Sequence, residues 1–162
     1  MSSFADLPSG PLSDRSGLDR GTPLDRVYIE AFLDQRKHLI HGSVLEVEDG
    51  TYTARFGVER VSKSTIVDVD GTNPRATLIA DLTQPGALPP DTFDCIILTQ
   101  TLHRLRQPGL CVENCYRALR SAGVLLVTAP SLSRVSPTIP MPTILALHAR
   151  RHRRVVLPPL ER

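Results

Sequence analysis

Apolar residues in this chain come in short, nearly unbroken runs set off by acids, glycines and prolines, the pattern of strands covered on both faces. Runs at about 43–47, 65–69, 76–80, 93–98 and 124–128 predict five strands, none with strict alternation. Two stretches carry helical spacing instead. Leu24, Val27, Tyr28, Ala31 and Phe32 recur at i, i+3, i+4, i+7 and i+8 and form one apolar stripe. Thr22-Pro23-Leu24-Asp25 suits its start, with a capping hydroxyl, a first-turn proline and an acid, and Arg36, Lys37 and His38 suit its negative end. A second helix over about 108–120 places Leu110, Cys111, Cys115, Ala118 and Leu119 on one side, and Ser121-Ala122-Gly123 ends it. Strands and helices in this order predict an α/β domain around a mostly parallel sheet.

Two crossovers are short. Between Gly50 and Thr65 only residues 51–56 have room for a helical turn or two, and Gly71-Thr72-Asn73-Pro74-Arg75 has room for none. Parallel neighbours normally need a dozen or so connecting residues, so either helices are trimmed here or the second and third strands are not simple parallel neighbours. Residues 1–21, rich in Ser, Gly, Pro and Asp without an apolar period, read as a mobile leader to a domain over residues 22–130. Residues 131–162 read as an irregular tail. It is Pro- and Ser-rich at first, with an apolar run at 143–147 that passes into His148-Ala149-Arg150-Arg151-His152-Arg153-Arg154, a solvated basic segment or short helix.

A length of 162 residues fits one domain, and 41% hydrophobic content with 4% aromatic residues suits an aliphatic core. A formal charge of +2 is too small to imply a nucleic-acid partner. The amino terminus lacks a basic region followed by an apolar run, and no stretch approaches the ~20 apolar residues of a membrane span, so a cytoplasmic location is the default expectation. Cys95, Cys111 and Cys115 contain no CxxC pair and fit reduced thiols. No metal site is expected, since Cys111 and Cys115 fall on the apolar side of their helix.

Candidate chemistry gathers at the carboxyl ends of the predicted strands, where open α/β sheets hold their ligands. The first strand contains Glu46 and runs into Glu48-Asp49-Gly50; the second ends at Asp70 and the third at Asp81. This order points to a nucleotide-like ligand. Glu46 inside an apolar run needs partners for a buried carboxylate, whereas Asp70 and Asp81, taken singly, can equally be turn acids.

The order of strand, glycine turn, strand-acid, strand-acid and Phe-Asp-strand resembles the class I S-adenosylmethionine-dependent methyltransferases over about residues 22–130. Phe93-Asp94-Cys95-Ile96-Ile97-Leu98-Thr99-Gln100-Thr101-Leu102-His103-Arg104-Leu105 is similar to the family's fourth strand and following loop. Arg117-Ala118-Leu119-Arg120-Ser121-Ala122-Gly123-Val124-Leu125-Leu126-Val127-Thr128 is similar to its segment leading into the fifth strand. The resemblance implies a Rossmann-like three-layer sandwich with shortened crossovers, S-adenosylmethionine as cofactor, and methyl transfer to a small-molecule acceptor. It implies that Glu46, with Glu48, Asp49 and Gly50 of the turn, lies near the methionine end of the cofactor. Asp70 would receive the ribose hydroxyls, Asp81 with Leu82 would meet the adenine, and the loop from Gln100 through Leu102 to His103 would border the transfer site. His103 is the candidate general base.

The family writes E-x-G-x-G-x-G at the turn, and here Glu48 and Tyr52 stand where two of those glycines would be. Acids at the turn suit a sulfonium and an ammonium and disfavour NAD, whose pyrophosphate would face Glu46, Glu48 and Asp49. The degenerate turn, and the lack of a convincing antiparallel pair beyond Pro130, keep two other readings open. One is a non-catalytic methyltransferase-like binding module, truncated or altered in its last part; the other is an NAD-binding oxidoreductase fragment. Val155-Val156-Leu157 is too short to supply the closing hairpin.

Overall fold

The computed structural model describes Asp19, residues 21–130 and the strand segments Ile144–His148 and Val155–Val156. The rest of the expected leader and the basic run at residues 149–154 lie outside the described residues. Helix α1 is Leu24–Gln35 and helix α2 is Pro108–Ala118; the strands are β1 Gly42–Val47, β2 Val61–Asp68, β3 Leu78–Ile79, β4 Phe93–Thr99, β5 Leu119–Thr128, β6 Ile144–His148 and β7 Val155–Val156. They form one sheet in the order β3-β2-β1-β4-β5-β6-β7. Strands β1 to β5 are mutually parallel, with Leu45 opposite both Thr65 and Ile96, while β5/β6 and β6/β7 are antiparallel. The Rossmann-like α/β sandwich is thus present, and its tail corrects the expectation that nothing past Pro130 extends the sheet. The apolar run near residue 144 pairs along β5, a long-range match that local sequence does not reveal. No helix among the described residues is long and apolar enough to cross a membrane.

Alternate residues of the central strands feed opposite layers, which explains why their sequences show no polar face. Leu45, Ile96, Leu98, Leu125 and Val127 pack with Cys111, Cys115 and Ala118 of α2. Val44, Cys95, Ile97, Val124 and Leu126 pack with Ile29, Phe32 and Leu33 of α1. Each buried Val, Leu, Ile or Phe side chain among them contributes ~1.5–3 kcal/mol relative to exposure. The predicted stripe on α1 is therefore only partly the buried one. Phe32 is buried beside Ile29 and Leu33, but Leu24, Val27 and Tyr28 are 68%, 47% and 58% exposed. Pro23 stands at the helix start without a side-chain cap, so Thr22 does not serve as expected.

The short crossovers are resolved as trimmed ones. Between β1 and β2 the chain makes a helical turn, a wide π-type turn at Thr53–Gly57 and a 3-10 turn at Val58–Arg60. β2 and β3 are parallel neighbours with no helix between them, because Leu78 pairs with Val67 close to the carboxyl end of β2 and the chain steps back only a short way. Hydrogen bonds fold the link locally: Asp70 N donates to Asp68 Oδ1 (3.0 Å) and Asn73 Nδ2 to Asp68 Oδ2 (2.6 Å). At the other end of the sheet, Asp94 Oδ2 accepts the Ser43 amide (2.7 Å) and Arg120 Nη1 (2.8 Å), tying the starts of β1, β4 and β5. Helix α2 stops at Ala118, so 119–123 belong to an irregular first part of β5 and not to the expected helix end.

Candidate ligand cleft

Glu46 is the acid that the apolar pattern makes hardest to explain, and its surroundings explain it. The side chain is 2% exposed, and its two oxygens accept the amides of Tyr52 (3.0 Å) and Thr53 (2.7 Å). These amides belong to the helical turn after β1 and would otherwise lack acceptors. Burial raises the Glu46 pKa above its ordinary value of 4.5, while the two amide bonds work in the opposite direction.

Three successive turns on the carboxyl edge share one local device. Asp49-Gly50-Thr51, Asp70-Gly71-Thr72 and Asp81-Leu82-Thr83 follow β1, β2 and β3, and in each the Asp Oδ1 accepts the Thr amide, at 2.9, 2.8 and 2.8 Å. The hydroxyls of Thr72 and Thr83 add bonds of 2.8 and 2.7 Å to the same oxygens. These bonds hold the Asp70 and Asp81 carboxyls below the ordinary carboxylate range, so both stay ionised well into acid. The spacing Asp-x-Thr was the sequence signal for this arrangement, since short acids and hydroxyls bond backbone two residues on. Gly50 has a packing reason as well: a Cβ there would stand 3.2 Å from Ile66 Cδ1.

A cleft of about 500 Å³ opens at this edge. Its walls are Pro23, Asp25, Arg26 and Ile29 from the start of α1, Glu46 to Asp49 and Tyr52 from the end of β1, and Thr99 to Thr101, His103, Arg104 and Pro130 from beyond β4 and β5. Glu46, Glu48, Asp49, Gln100 and His103 are thus brought together. Asp70, Asp81, Leu82, Gly50 and Leu102 do not line this cleft. Leu82 is buried in the core on the α2 side and Leu102 packs against that core, so both are packing residues in this structure. Glu48, at φ +68°, reaches the Arg104 guanidinium in an ion pair across the cleft. His103 is exposed in the turn Leu102–Arg104. Sequence reasoning missed Arg26, Tyr52 and Arg104, which come from distant segments, and also Asn114. Buried on α2, Asn114 donates to the carbonyls of Leu82 (2.9 Å) and Gln84 (2.7 Å) and so holds the Asp81 turn.

A more open groove of about 730 Å³ lies between α1 and residues 55–60. Its charges are already matched: Arg55 pairs with Glu30 (2.8 Å), Lys37 with Asp34 (3.1 Å), and Arg60 donates to the carbonyls of Lys37 and Phe56. It lies off the carboxyl edge and offers a ligand little unsatisfied chemistry.

Residues 50–127 match the methyltransferase domain family, a span from the turn glycine to the penultimate residue of β5. No curated protein sequence matches the chain. Among solved structures, a candidate methyltransferase of Bacillus halodurans C-125 is similar with 21% identity and a TM-score of 0.52 over 62% of this chain and 50% of that one. A SAM-dependent methyltransferase of Archaeoglobus fulgidus reaches a TM-score of 0.55 at 15% identity, over 73% of this chain and 57% of that one. The N-methyltransferase NodS of Bradyrhizobium japonicum WM9, solved with S-adenosyl-L-homocysteine, reaches 0.51 at 18% identity over 72% and 67%. The chain spans about half the length of the first of these proteins. At such identities the structures speak for the fold alone. Residues 50–127 thus match a methyltransferase domain, and the five-strand parallel sheet with its acid-rimmed cleft has the Rossmann-like α/β fold of solved S-adenosylmethionine-dependent methyltransferases.

Proposed function

We propose that this chain binds S-adenosylmethionine in the cleft at the ends of β1 and β4 and directs methyl transfer to a small-molecule acceptor, in a cytoplasmic setting that its free thiols suit. The observation that carries the reading is the charge balance of the cleft: the carboxylates of Asp25, Glu46, Glu48 and Asp49 outnumber the guanidinium groups of Arg26 and Arg104, and the lining holds no glycine-rich phosphate cradle. That balance suits a ligand carrying a sulfonium and an ammonium and opposes a pyrophosphate. When bound, the cofactor supplies a methyl group on an activated leaving group, so the protein contributes mainly alignment. Asp70 and Asp81 lie outside the lining of the cleft, in the turns that follow β2 and β3 on the same carboxyl edge, and the reading assigns them the ribose and adenine of a cofactor that extends beyond the cleft. Both Thr72 bonds fall on Asp70 Oδ1. Gln100 and His103 border the acceptor side, and His103 takes the proton when the acceptor is a hydroxyl.

Isothermal titration with S-adenosylmethionine, S-adenosylhomocysteine and NAD tests this. Binding of the first two in the micromolar range supports it, and binding of NAD alone overturns it. Asp70→Ala is expected to weaken S-adenosylhomocysteine by about ten-fold, the effect of losing charge-assisted hydrogen bonds. One observation favours a second reading, a non-catalytic module: the Glu48–Arg104 pair spans the cleft where the family has a bare glycine. Absence of binding by all three ligands supports that reading.

A further inference from the structure

A line of polar contacts runs across the carboxyl ends of three neighbouring strands. Arg104, from the turn after β4, forms an ion pair with Glu48 at the end of β1. The Glu48 carbonyl accepts Asn73 Nδ2 (2.8 Å), and the same nitrogen donates to Asp68 Oδ2 (2.6 Å) at the end of β2. The Asp70 amide and Asn73 hold the Asp68 carboxyl below its ordinary range, and the charge of Arg104 adds to this, which places the guanidinium within electrostatic reach of β2. Because the sheet order is β2-β1-β4, these four side chains form one continuous line over the edge. The cleft reaches as far as Glu48 and Arg104, and its lining takes nothing from the turns of Asp70 and Asp81 beyond β2 and β3. The backbone keeps Glu48 in the line: it sits at φ +68°, and its amide donates to the Val67 carbonyl (3.0 Å). Both side chains of the ion pair are more than half exposed, so the pair is weak and salt screens it.

Resting on the methyl-donor reading above, we infer that the Glu48–Arg104 pair is a strap across the ligand path. It is closed in this structure and has to part before one ligand can occupy the cleft and the Asp70 and Asp81 turns together. A ligand that spans the line displaces the pair, whereas a ligand confined to the far side leaves it closed. S-adenosylhomocysteine spans the line; adenosine, which lacks the amino-acid arm, does not. The test is calorimetric titration of the full chain and its Arg104→Gln, Glu48→Gln and doubly substituted variants with both ligands. Each single substitution is expected to tighten S-adenosylhomocysteine by about two- to five-fold, the contribution of an exposed ion pair, with the double variant no tighter than either single one and adenosine unchanged. Raising salt from about 0.05 M to about 0.5 M should close the gap between wild type and Arg104→Gln. Unchanged or weakened S-adenosylhomocysteine in Arg104→Gln, an equal gain for adenosine, or a gap that persists at high salt overturns the strap while leaving the donor reading intact. Absence of S-adenosylhomocysteine binding in all four proteins overturns both.

Discussion

Gly42 opens β1 at φ +65°, and a Cβ there would lie 2.2 Å from Asp94 Oδ2, the oxygen that accepts the Ser43 amide and Arg120. Gly42→Ala therefore imposes two penalties. A left-handed alanine costs about 1 kcal/mol. Displacing Asp94 leaves the buried Ser43 amide without its acceptor, about 2 kcal/mol, and loosens a part-exposed ion pair worth about 0.5 kcal/mol. The expected loss is about 3.5 kcal/mol. Asp94→Ala alone should lose about 2.5 kcal/mol, since the backbone stays relaxed. In the double variant the amide bond is already gone and the new methyl has room, so the loss stays near about 3.5 kcal/mol where simple addition predicts about 6 kcal/mol. Urea unfolding of the four proteins measures this, with midpoints falling by about 1–2 M at ordinary slopes. Additivity of the two single effects within about 0.5 kcal/mol would refute the reasoning, because it would mean that the methyl group and the carboxylate do not compete for one space.

Glu48→Gly removes left-handed strain of about 1 kcal/mol and an exposed ion pair of about 0.5 kcal/mol, so stability should stay within about 1 kcal/mol of wild type. Its affinity for S-adenosylhomocysteine should rise about three- to ten-fold by calorimetry, and a fall would count against the cleft as the donor site. Asn114→Leu strips the donor from the Leu82 and Gln84 carbonyls and should lose about 2 kcal/mol, with faster hydrogen exchange at the Thr83 amide as the local readout. The acids set opposite pH trends. Glu46, raised by burial, makes the fold take up a proton, so its contribution grows as pH falls from the folded value toward 4.5. Asp68, Asp70 and Asp81, lowered by hydrogen bonds, lose theirs as pH falls below 3.8. Urea midpoints across the acid range should thus rise slightly before falling in the wild type and fall monotonically in Glu46→Gln.

Local sequence determined the parts whose physics is local. β1, β4 and β5 are legible because strands buried on both faces must be continuously apolar, and the Asp-x-Thr turns because a short carboxylate reaches an amide two residues on whatever surrounds it. The buried face of α1 was not legible. The runs through Leu24, Val27 and Phe32 and through Ile29, Phe32 and Leu33 both satisfy helical spacing, and only the position of β1, β4 and β5 beneath the helix selects the second. The strand at Ile144–His148 was hidden for the same reason: its partner, β5, lies far back in the chain, and edge pairing leaves no mark on composition. The cleft divides likewise. Glu46 announced itself as an acid in an apolar run, but whether it meets amides or ligand, and whether Leu82 faces ligand or core, depend on which distant segments arrive beside them. Those choices are made by packing across the sheet, where side chains compete for the same few ångströms.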